Sequence, residues 1–453
     1  MSRTKAQSRR AAAGSSRAAA GSSRAAAGSS RARVLHVLDA VQRHDAPATA
    51  ALAQALHGVE PGPDRAMITD VAYGTLRWLP ALDAVLRVRL EDAAALPVVV
   101  VDALRAGAFE LLVRGTPAHA AVHAWVEEVK RLPGAPARLA GLVNAVLRRV
   151  DLGDAGGPPA GVGLPGPLWE HLANGLGPHA ADAARAMLQP EPLWVTIYRD
   201  DALELLRAEG ADARQGPLPG SWAVRPGRPL GALTAFRRGS IQPQNPSSAA
   251  VVSALGEVAG RRVLDVGSGH GVKAAQLAAA GAAVEAVEID ARRSDVGRRN
   301  LARLGLSVRH HVVDATAPMV GLPVVDAALL DAPCTGTGTL RGHPEIKLRW
   351  TPDDARRAAA RQRAMLASVA ERVRPGGTLV YAVCALGLEE GPEVVASFLA
   401  DHPAWRAETR RVPLPSVPAP VGAWLLHEAA GLDGFYLARL ERAESDASGA
   451  SFA

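Results

Sequence analysis

Cysteine is scarce in this chain, which has 453 residues and two thiols, Cys334 and Cys384. So few cysteines argue against a disulfide scaffold and favour a reducing compartment, so we expect a cytoplasmic protein. No run of 18 or more apolar residues without charge occurs, and the N-terminus lacks the apolar stretch of a secretory signal, so no membrane partner is expected. The 13 histidines show no metal-ligand spacing with the cysteines, so no metal is expected. A Walker-type lysine loop is also missing, which disfavours nucleotide hydrolysis.

Acidic residues are absent from positions 1–33, which carry eight arginines and lysines. The net charge of the whole chain is +6, so the remainder is slightly acidic. The hexapeptide Ala-Ala-Ala-Gly-Ser-Ser occurs three times, at 11–16, 18–23 and 25–30. Such a segment cannot bury enough apolar surface to order itself. We expect 1–33 to be a disordered basic tail that contacts phosphates; a repeat expansion without a role and an organelle transit peptide are the alternatives.

Three regions and a short C-terminal tail, 441–453, follow this basic tail. Residues 34–150 predict an all-α domain, because apolar residues recur at three- and four-residue spacing, as between Leu139 and Val150. The Gly- and Pro-rich region 151–235 predicts a linker followed by a small α/β subdomain. Region 236–440 alternates strand-like runs with amphipathic helices, which predicts a doubly wound parallel sheet. Its expected strands are Val263–Val266, Ala283–Ile289, Val308–Val313, Val324–Leu330 and Thr378–Val383, with a terminal antiparallel hairpin formed by Ala423–His427 and Phe435–Leu440.

A glycine-rich turn follows the first of these strands and precedes a helix expected to begin near Val272. Glycines at three alternate positions allow a tight turn and close approach of a ligand, in dinucleotide and S-adenosylmethionine sites alike. The candidate cofactor-binding residues of this turn are Gly267, Ser268, Gly269, His270, Gly271, Val272 and Lys273.

One acidic residue follows each of the next strands. Glu288 ends the second strand, where a carboxylate can accept hydrogen bonds from ribose hydroxyls, and Asp314 follows the third, where it can meet an adenine amino group. This succession favours a nucleoside lying across the strand ends. Ordinary helix capping by Glu288 and Asp314 is the alternative.

Both cysteines follow strand-like runs, with one crossover helix's length of chain between them. They are therefore expected at the carboxyl ends of neighbouring strands, where open α/β sheets bind ligands. Two buried structural thiols are the alternative interpretation.

Several segments carry a resemblance to RNA cytosine-5 methyltransferases of the Fmu/Sun/NOL group. Asp331-Ala332-Pro333-Cys334-Thr335-Gly336-Thr337-Gly338, with its continuation to Lys347, resembles their fourth motif, and Pro375 to Cys384, with Glu389-Glu390, resembles their sixth. The helical region is similar to the NusB-like RNA-binding domain of the bacterial small-subunit rRNA members. The matching segments there are Val71–Trp78, Arg105–Leu112 and Leu142–Arg149.

The resemblance implies a Rossmann-like class I methyltransferase that transfers a methyl group from S-adenosylmethionine to carbon 5 of a cytosine in RNA. In this family Cys384 is the nucleophile and Cys334 assists release of the product, while Asp331 contacts cofactor and base. Lys273 would bind the cofactor carboxylate, with a solvated surface lysine as the alternative. Arg341, Lys347 and Arg349 would hold RNA phosphates beside the motif.

Three positions depart from the family pattern. Val272 replaces a glycine of the first motif, while Val383 and Ala385 replace the Thr and Ser that flank the nucleophile. The expected partner is small-subunit rRNA, bound by a monomer. The alternatives are a tRNA or other RNA as substrate, or a non-catalytic RNA-binding ribosome-assembly factor.

Overall fold

The computed structural model describes residues 28–133, 137–408, 412–426 and 431–444. Most of the predicted basic tail, 1–27, and most of the predicted C-terminal tail lie outside the described residues. The chain divides into two units. The first runs to Pro165 and includes the short segment His343–Leu348; the second contains Gly166–Gly342 and continues from Arg349. This division into two units does not test the domain boundaries expected at 150 and 235, which stay predictions.

The first unit is helical, as the spacing of its apolar residues predicts. Its helices are α1 (Ser30–Arg43), α2 (Ala48–Ala55), α3 (Pro63–Arg87), α4 (Val98–Leu112), α5 (Ala118–Arg131) and α6 (Ala137–Leu147). Helix α6 ends three residues before the expected Val150. Two short 3₁₀ turns, Leu152–Ala155 and Ala160–Val162, follow it.

A continuous apolar core runs through the first unit, with Val34, Leu76, Leu104 and Trp125 among its fully buried side chains. Helices α3 and α4 approach closely at Gly74, where a Cβ atom would lie 1.9 Å from the ring of Phe109.

Lys347 belongs to the short segment that joins the first unit. Its ammonium group is buried and donates hydrogen bonds to the carbonyl oxygens of Arg77 and, at 2.8 Å, Gly163. Burial, with the nearby charge of Arg77, lowers the pKa of Lys347 to about 7. The expectation that Lys347 holds RNA phosphates is wrong for this structure, because its amine is enclosed by backbone acceptors of its own unit.

The second unit begins with α7 (Gly166–Leu176) and α8 (Ala180–Met187), followed by a small antiparallel sheet in the order β2–β3–β1–β4. Its strands are β1 (Leu193–Ile197), β2 (Asp212–Gln215), β3 (Ser221–Arg225) and β4 (Ile241–Pro243), with α9 (Ala202–Ala208) and α10 (Thr234–Arg237) between them. The expected strand at 193–197 is confirmed.

The large sheet of the second unit has nine described strands. Its parallel part has the order β9–β8–β5–β6–β7, so the chain leaves β5 in one direction and returns to its other side with β8. These strands are β5 (Arg262–Val266), β6 (Ala283–Glu288), β7 (Arg309–Val312), β8 (Val325–Asp331) and β9 (Val373–Val383). The helices of this unit are α11 (Pro246–Ser253), α12 (Val272–Ala279), α13 (Ala291–Leu304), α15 (Pro352–Ala370) and α16 (Pro392–Asp401). The short helix α14 (Ile346–Arg349) lies between α13 and α15 in the sequence, and its first three residues belong to the first unit.

An antiparallel extension completes this sheet. The expected hairpin is present as β12 (Ala423–Leu425) and β13 (Phe435–Arg442), and β13 also pairs with β9. Two further strands, β10 (Trp405–Glu408) and β11 (Ser416–Pro418), were not expected, because they are short and lack a continuous apolar run. Strand β9 begins at Val373, before the expected Thr378, and the segment Pro375–Gly377 forms a bulge within it. Among the described residues no helix has the length and apolar character to cross a bilayer.

We expect Gly74→Ala to destabilise the first unit by about 1–3 kcal/mol, because overpacking against Phe109 outweighs the higher helix propensity of alanine. Gly141 on α6 is the matched control: nothing lies within 4 Å of its Cβ position, so Gly141→Ala should stabilise the same unit by about 0.5–1 kcal/mol. Hydrogen exchange of helix amides in the full-length protein measures both changes. Equal effects of the two substitutions would contradict the close approach at Gly74.

Candidate active site

The carboxyl ends of the parallel strands β5, β8 and β9 meet where the order of strand addition reverses. Strands β6 and β7 lie on one side of β5, and β8 and β9 lie on the other. Val266 of β5 pairs with Leu330 of β8, and Asp331 of β8 pairs with Ala382 of β9. The loops after these strands therefore leave the sheet at one level and on one edge. Open α/β sheets bind their ligands at such a reversal, so the sequence-predicted residues converge here for a topological reason.

The two thiols lie side by side at this edge. The Sγ atoms of Cys334 and Cys384 are 3.3 Å apart, and both side chains are partly exposed. Backbone hydrogen bonds join the two loops, from Ala332 N to Ala382 O at 3.0 Å and from Gly338 N to Cys384 O at 2.9 Å. A side chain at Gly338 would lie 2.1 Å from Gly434 O, so glycine allows this approach. The cysteines are not isolated buried thiols, and the structure disfavours that alternative.

Cys334 resists ionisation. The hydrogen bond to Cys384, burial, and the nearby charges of Cys384 and Glu390 raise the pKa of Cys334 well above its usual value. On the other side, Cys384 lies close enough to Lys273 to favour the charged form of that lysine. The site is therefore electrostatically asymmetric: Cys384 faces a cation and Cys334 faces a carboxylate.

The glycine-rich turn forms the floor of the site. Gly267 N and Ser268 N both donate to Val287 O at 3.0 Å, and Gly269 N donates to a Glu288 carboxylate oxygen at 2.9 Å. Gly267 has φ of 79°, and a Cβ there would lie 2.2 Å from Asp331 O. Gly271, with φ of 74°, caps the start of α12 at the position where the helix was expected to begin. This turn needs glycine for its backbone shape and for its contact with β8.

Two adjoining clefts open over this floor. The larger, of about 670 Å³, extends from Glu288 and Asp314 to both cysteines. The smaller, of about 340 Å³, is bordered by the glycine-rich turn, Lys273, Asp331 and Cys384. The sequence-predicted residues that line at least one cleft are Gly267, Ser268, Gly269, His270, Val272, Lys273, Glu288, Asp314, Asp331, Cys334 and Cys384. Among the residues predicted for catalysis or cofactor binding, Gly271 alone lines neither of these two clefts.

The two outer acids differ in their surroundings. Glu288 is buried and accepts hydrogen bonds from Gly269 N and Asp290 N, so it shapes the turn while facing the larger cleft. Asp314 is exposed, and hydrogen bonds from the backbone and side chain of Thr316 lower its pKa. Both carboxylates thus have local partners of the kind expected of caps, and both also line the larger cleft.

Lys273 forms a buried ion pair with Asp331. Its Nζ atom lies 2.6 Å from Asp331 Oδ2 and 5.6 Å from the ring centroid of Phe435. Although burial favours the neutral amine, the charges of Asp331 and Asp265 raise the pKa of Lys273. The alternative of a solvated surface lysine is wrong, since only 10 % of this side chain is exposed to solvent.

Asp265 is a residue of this site that the sequence interpretation passed over. Its side chain is fully buried beneath the smaller cleft, and neither carboxylate oxygen has a well-formed hydrogen bond. Burial, together with the charges of Asp331 and Glu288, raises the pKa of Asp265 to about 7, against the opposing influence of Lys273 and the Ala274 amide. A buried, poorly satisfied carboxylate beside a cleft suits a cationic ligand group. Its position just before the glycine-rich turn was the available signal.

Arg341 does not fulfil the expectation of an RNA-contacting residue. Its side chain is among the most buried of the protein, and burial lowers its pKa while Asp433 and Glu191 oppose that change. This guanidinium is part of the interior of the second unit. Arg349, the third basic residue expected to hold phosphates, is exposed.

Comparison with known proteins gives consistent matches. A family model described as 16S rRNA methyltransferase RsmB/F matches residues 252–441, and the NusB family model matches 28–151. Ribosomal RNA small subunit methyltransferase B of Thermus thermophilus is 43% identical over 85% of this chain and 91% of its own length. The protein of that name from Xanthomonas campestris is 33% identical over 80% of this chain and 86% of its own. The crystal structure of PH0851 shares the fold, with a TM-score of 0.73, 22% identity, and coverage of 90% of this chain and 98% of that chain.

The environment of Asp265 generates a prediction for S-adenosylmethionine, whose methionyl ammonium is a cation. Below pH 7 ligand binding must expel the Asp265 proton, so affinity should fall by up to about tenfold per pH unit as pH decreases from 7. Calorimetry in buffers of different ionisation enthalpy should show proton release at pH 6 and little at pH 8. Asp265→Asn should bind more weakly at pH 8 with a flat pH profile. A profile as steep as that of the unaltered protein would assign the titration to another group.

Proposed function

This chain belongs to the family of ribosomal RNA small subunit methyltransferase B, which are S-adenosylmethionine-dependent RNA methyltransferases, and from this premise we propose that it methylates carbon 5 of a cytosine in small-subunit rRNA. One observation supports this most directly. Two thiols lie 3.3 Å apart at the end of a cleft whose other end has the two acids that suit a nucleoside. Carbon-5 methylation of cytosine requires a nucleophile and a base at one place, and the pair can supply both.

Carbon 5 of cytosine is too weak a nucleophile to attack a methyl sulfonium unaided. Addition of the Cys384 thiolate to carbon 6 forms a carbon–sulfur bond and converts the ring into an enamine, whose carbon 5 can attack. When bound, S-adenosylmethionine supplies the electrophilic methyl group. Cys384 lies near the ammonium of Lys273, and this proximity favours the charged form of the lysine.

Release of the product requires loss of the proton from carbon 5. The Cys334 thiolate takes that proton, the electrons of the carbon–hydrogen bond restore the carbon 5–carbon 6 double bond, and Cys384 leaves as a thiolate. Cys334 must first lose its own proton to solvent. The hydrogen bond to Cys384, burial, and the nearby charges of Cys384 and Glu390 hold the pKa of this thiol high, which makes its thiolate a stronger base.

The residues that line the two clefts have chemistry that suits the separate parts of the cofactor. The glycine-rich turn and Glu288 would hold the nucleoside portion, with Asp314 at the open end of the larger cleft. Lys273 and Asp265 would face the methionyl carboxylate and ammonium in the smaller cleft. Val272 lines that cleft at a position where the family has glycine, and its side chain is partly exposed. Asp331, held by Lys273, would border both cofactor and target base.

The substrate must present an unstacked cytosine, because both thiols lie inside a cleft and cannot reach a base within a helix. The match of the first unit to the NusB family supports RNA binding by that unit. The names of the similar proteins support small-subunit rRNA as the substrate.

The two thiols are separable by experiment. Cys384→Ala should abolish methyl transfer and any covalent RNA adduct, because no enamine forms without the attacking sulfur. Cys334→Ala should still form the adduct but release it slowly, so a protein–RNA species should accumulate on denaturing gels with small-subunit rRNA and cofactor. An adduct that accumulates with Cys384→Ala and is absent with Cys334→Ala would reverse the roles. Activity retained by both variants would make the thiols structural.

The raised pKa of Cys334 gives a pH dependence for the release step. Only the thiolate accepts the carbon-5 proton, so the rate of adduct decay should rise by about tenfold per pH unit from neutrality until the pKa is passed. A pH-jump experiment on the pre-formed adduct, followed on denaturing gels, measures this rate. The slow decay in Cys334→Ala should lack this rise; the same slope in that variant would identify a different base.

A further inference from the structure

We propose that Glu390 is a positioning residue for Cys334, holding the loop that carries this thiol so that release of the methylated base can occur; this rests on the proposed function. Glu390 lies six residues beyond Cys384, at the end of the loop that follows β9. Its side chain is fully buried.

Hydrogen bonds connect Glu390 to the residue directly after Cys334. The backbone N–H of Thr335 donates to Glu390 Oε2 at 2.9 Å, and the Thr335 hydroxyl donates to Oε1. Each carboxylate oxygen thus fixes a different group of Thr335. The loop cannot rotate about this residue without breaking at least one of these bonds.

A second connection fixes the residue before Cys334. Gln362 of α15 is fully buried, and its amide nitrogen donates to Glu390 Oε2 and to Pro333 O, both at 3.0 Å. Glu390 and Gln362 therefore fix the residues immediately before and after Cys334. The carbonyl of Glu390 itself accepts a hydrogen bond of 2.6 Å from the buried Tyr381 hydroxyl on β9.

The carboxylate is deeply buried, and its oxygens accept hydrogen bonds from Thr335 and Gln362. Burial raises the pKa of Glu390, whereas these hydrogen bonds and the charge of His171 act in the opposite direction. A buried carboxylate is costly unless its oxygens accept hydrogen bonds, and the donors here come from the loop of Cys334 and from the residue that holds that loop. Its placement serves that loop.

Glutamine at this position has nearly the same shape but a single acceptor oxygen. If its NH₂ group faced the Thr335 hydroxyl, it would donate a neutral hydrogen bond in place of the charge-assisted one. If it faced the donors at Oε2, both of those hydrogen bonds would be lost, so the contacts that hold the loop are weakened in either orientation. Misplacement of a reacting group by about 1 Å can reduce a rate by roughly 100-fold. The step affected should be release, because attack by Cys384 does not use Cys334.

Glu389 provides a matched control. It is the neighbouring residue with the same side chain, but 40 % of that side chain is exposed, and it pairs with His171 at 3.2 Å. None of its described contacts involves the Cys334 loop. Glu389→Gln keeps an acceptor oxygen for His171 and should therefore leave turnover and adduct lifetime within about twofold of the unaltered protein.

The test is a double-mutant cycle in the full chain, with small-subunit rRNA and S-adenosylmethionine. Glu390→Gln should form the Cys384 adduct at a near-normal rate, bind cofactor within about twofold, and release the adduct about 100-fold more slowly. Adding Glu390→Gln to Cys334→Ala should slow release no further, because Glu390 acts through Cys334. Normal adduct decay in Glu390→Gln, or losses that add to those of Cys334→Ala, would overturn the proposal.

The outcomes separate this inference from the function on which it rests. If Cys334→Ala accumulates adduct and Glu390→Gln does not, the function stands and the positioning role falls. If Cys334→Ala accumulates none and remains active, both fall together. Should Glu390→Gln fail to fold, Thr335→Val removes the hydroxyl contact alone and should slow adduct decay by about tenfold, the effect of one hydrogen bond to a charged group. Unchanged decay in Thr335→Val would then contradict the clamp.

Discussion

The parallel pairing of β8 with β9 is the constraint on which the site depends. Asp331 is opposite Ala382 in that register, so the loops that follow bring Cys334 and Cys384 within 3.3 Å. A shift of one residue would turn the side chains of β9 to the other face of the sheet and separate the thiols. The bulge at Pro375–Gly377 absorbs the extra residues at the start of β9, so the irregularity stays away from the end where the chemistry would occur.

Charge distinguishes two chemically identical side chains within this geometry. Lys273, held by Asp331, lies on the side of Cys384, whereas Glu390 lies on the side of Cys334. The two sulfurs therefore have different electrostatic surroundings although they are 3.3 Å apart. Such a difference is how one site can hold a nucleophile and a base together.

Local sequence patterns were sufficient to predict several strands of the large sheet and the glycine-rich turn. The apolar runs of β5, β6 and β8 and the glycines at 267, 269 and 271 specify a strand–turn–helix sequence with little help from distant residues. Burial of charged side chains was not predictable in this way. Arg341 and Lys347 look like surface cations in sequence, because their partners are far away along the chain. Asp265 lies in a strand as its sequence suggests, but the burial that raises its pKa depends on the packing around it. The short strands β10 and β11 were missed because pairing with β13 and β12 defines them.

Lys347 has a consequence for the order in which the protein can fold during synthesis. The first unit contains all residues to Pro165 but also His343–Leu348, which are made long after the helices that precede them. At ordinary rates of translation the delay is on the order of ten seconds or more. During that time water must occupy the acceptors at Arg77 O and Gly163 O that Lys347 later takes. A nascent chain stalled before residue 343 would therefore carry a helical unit that is incomplete at one known place.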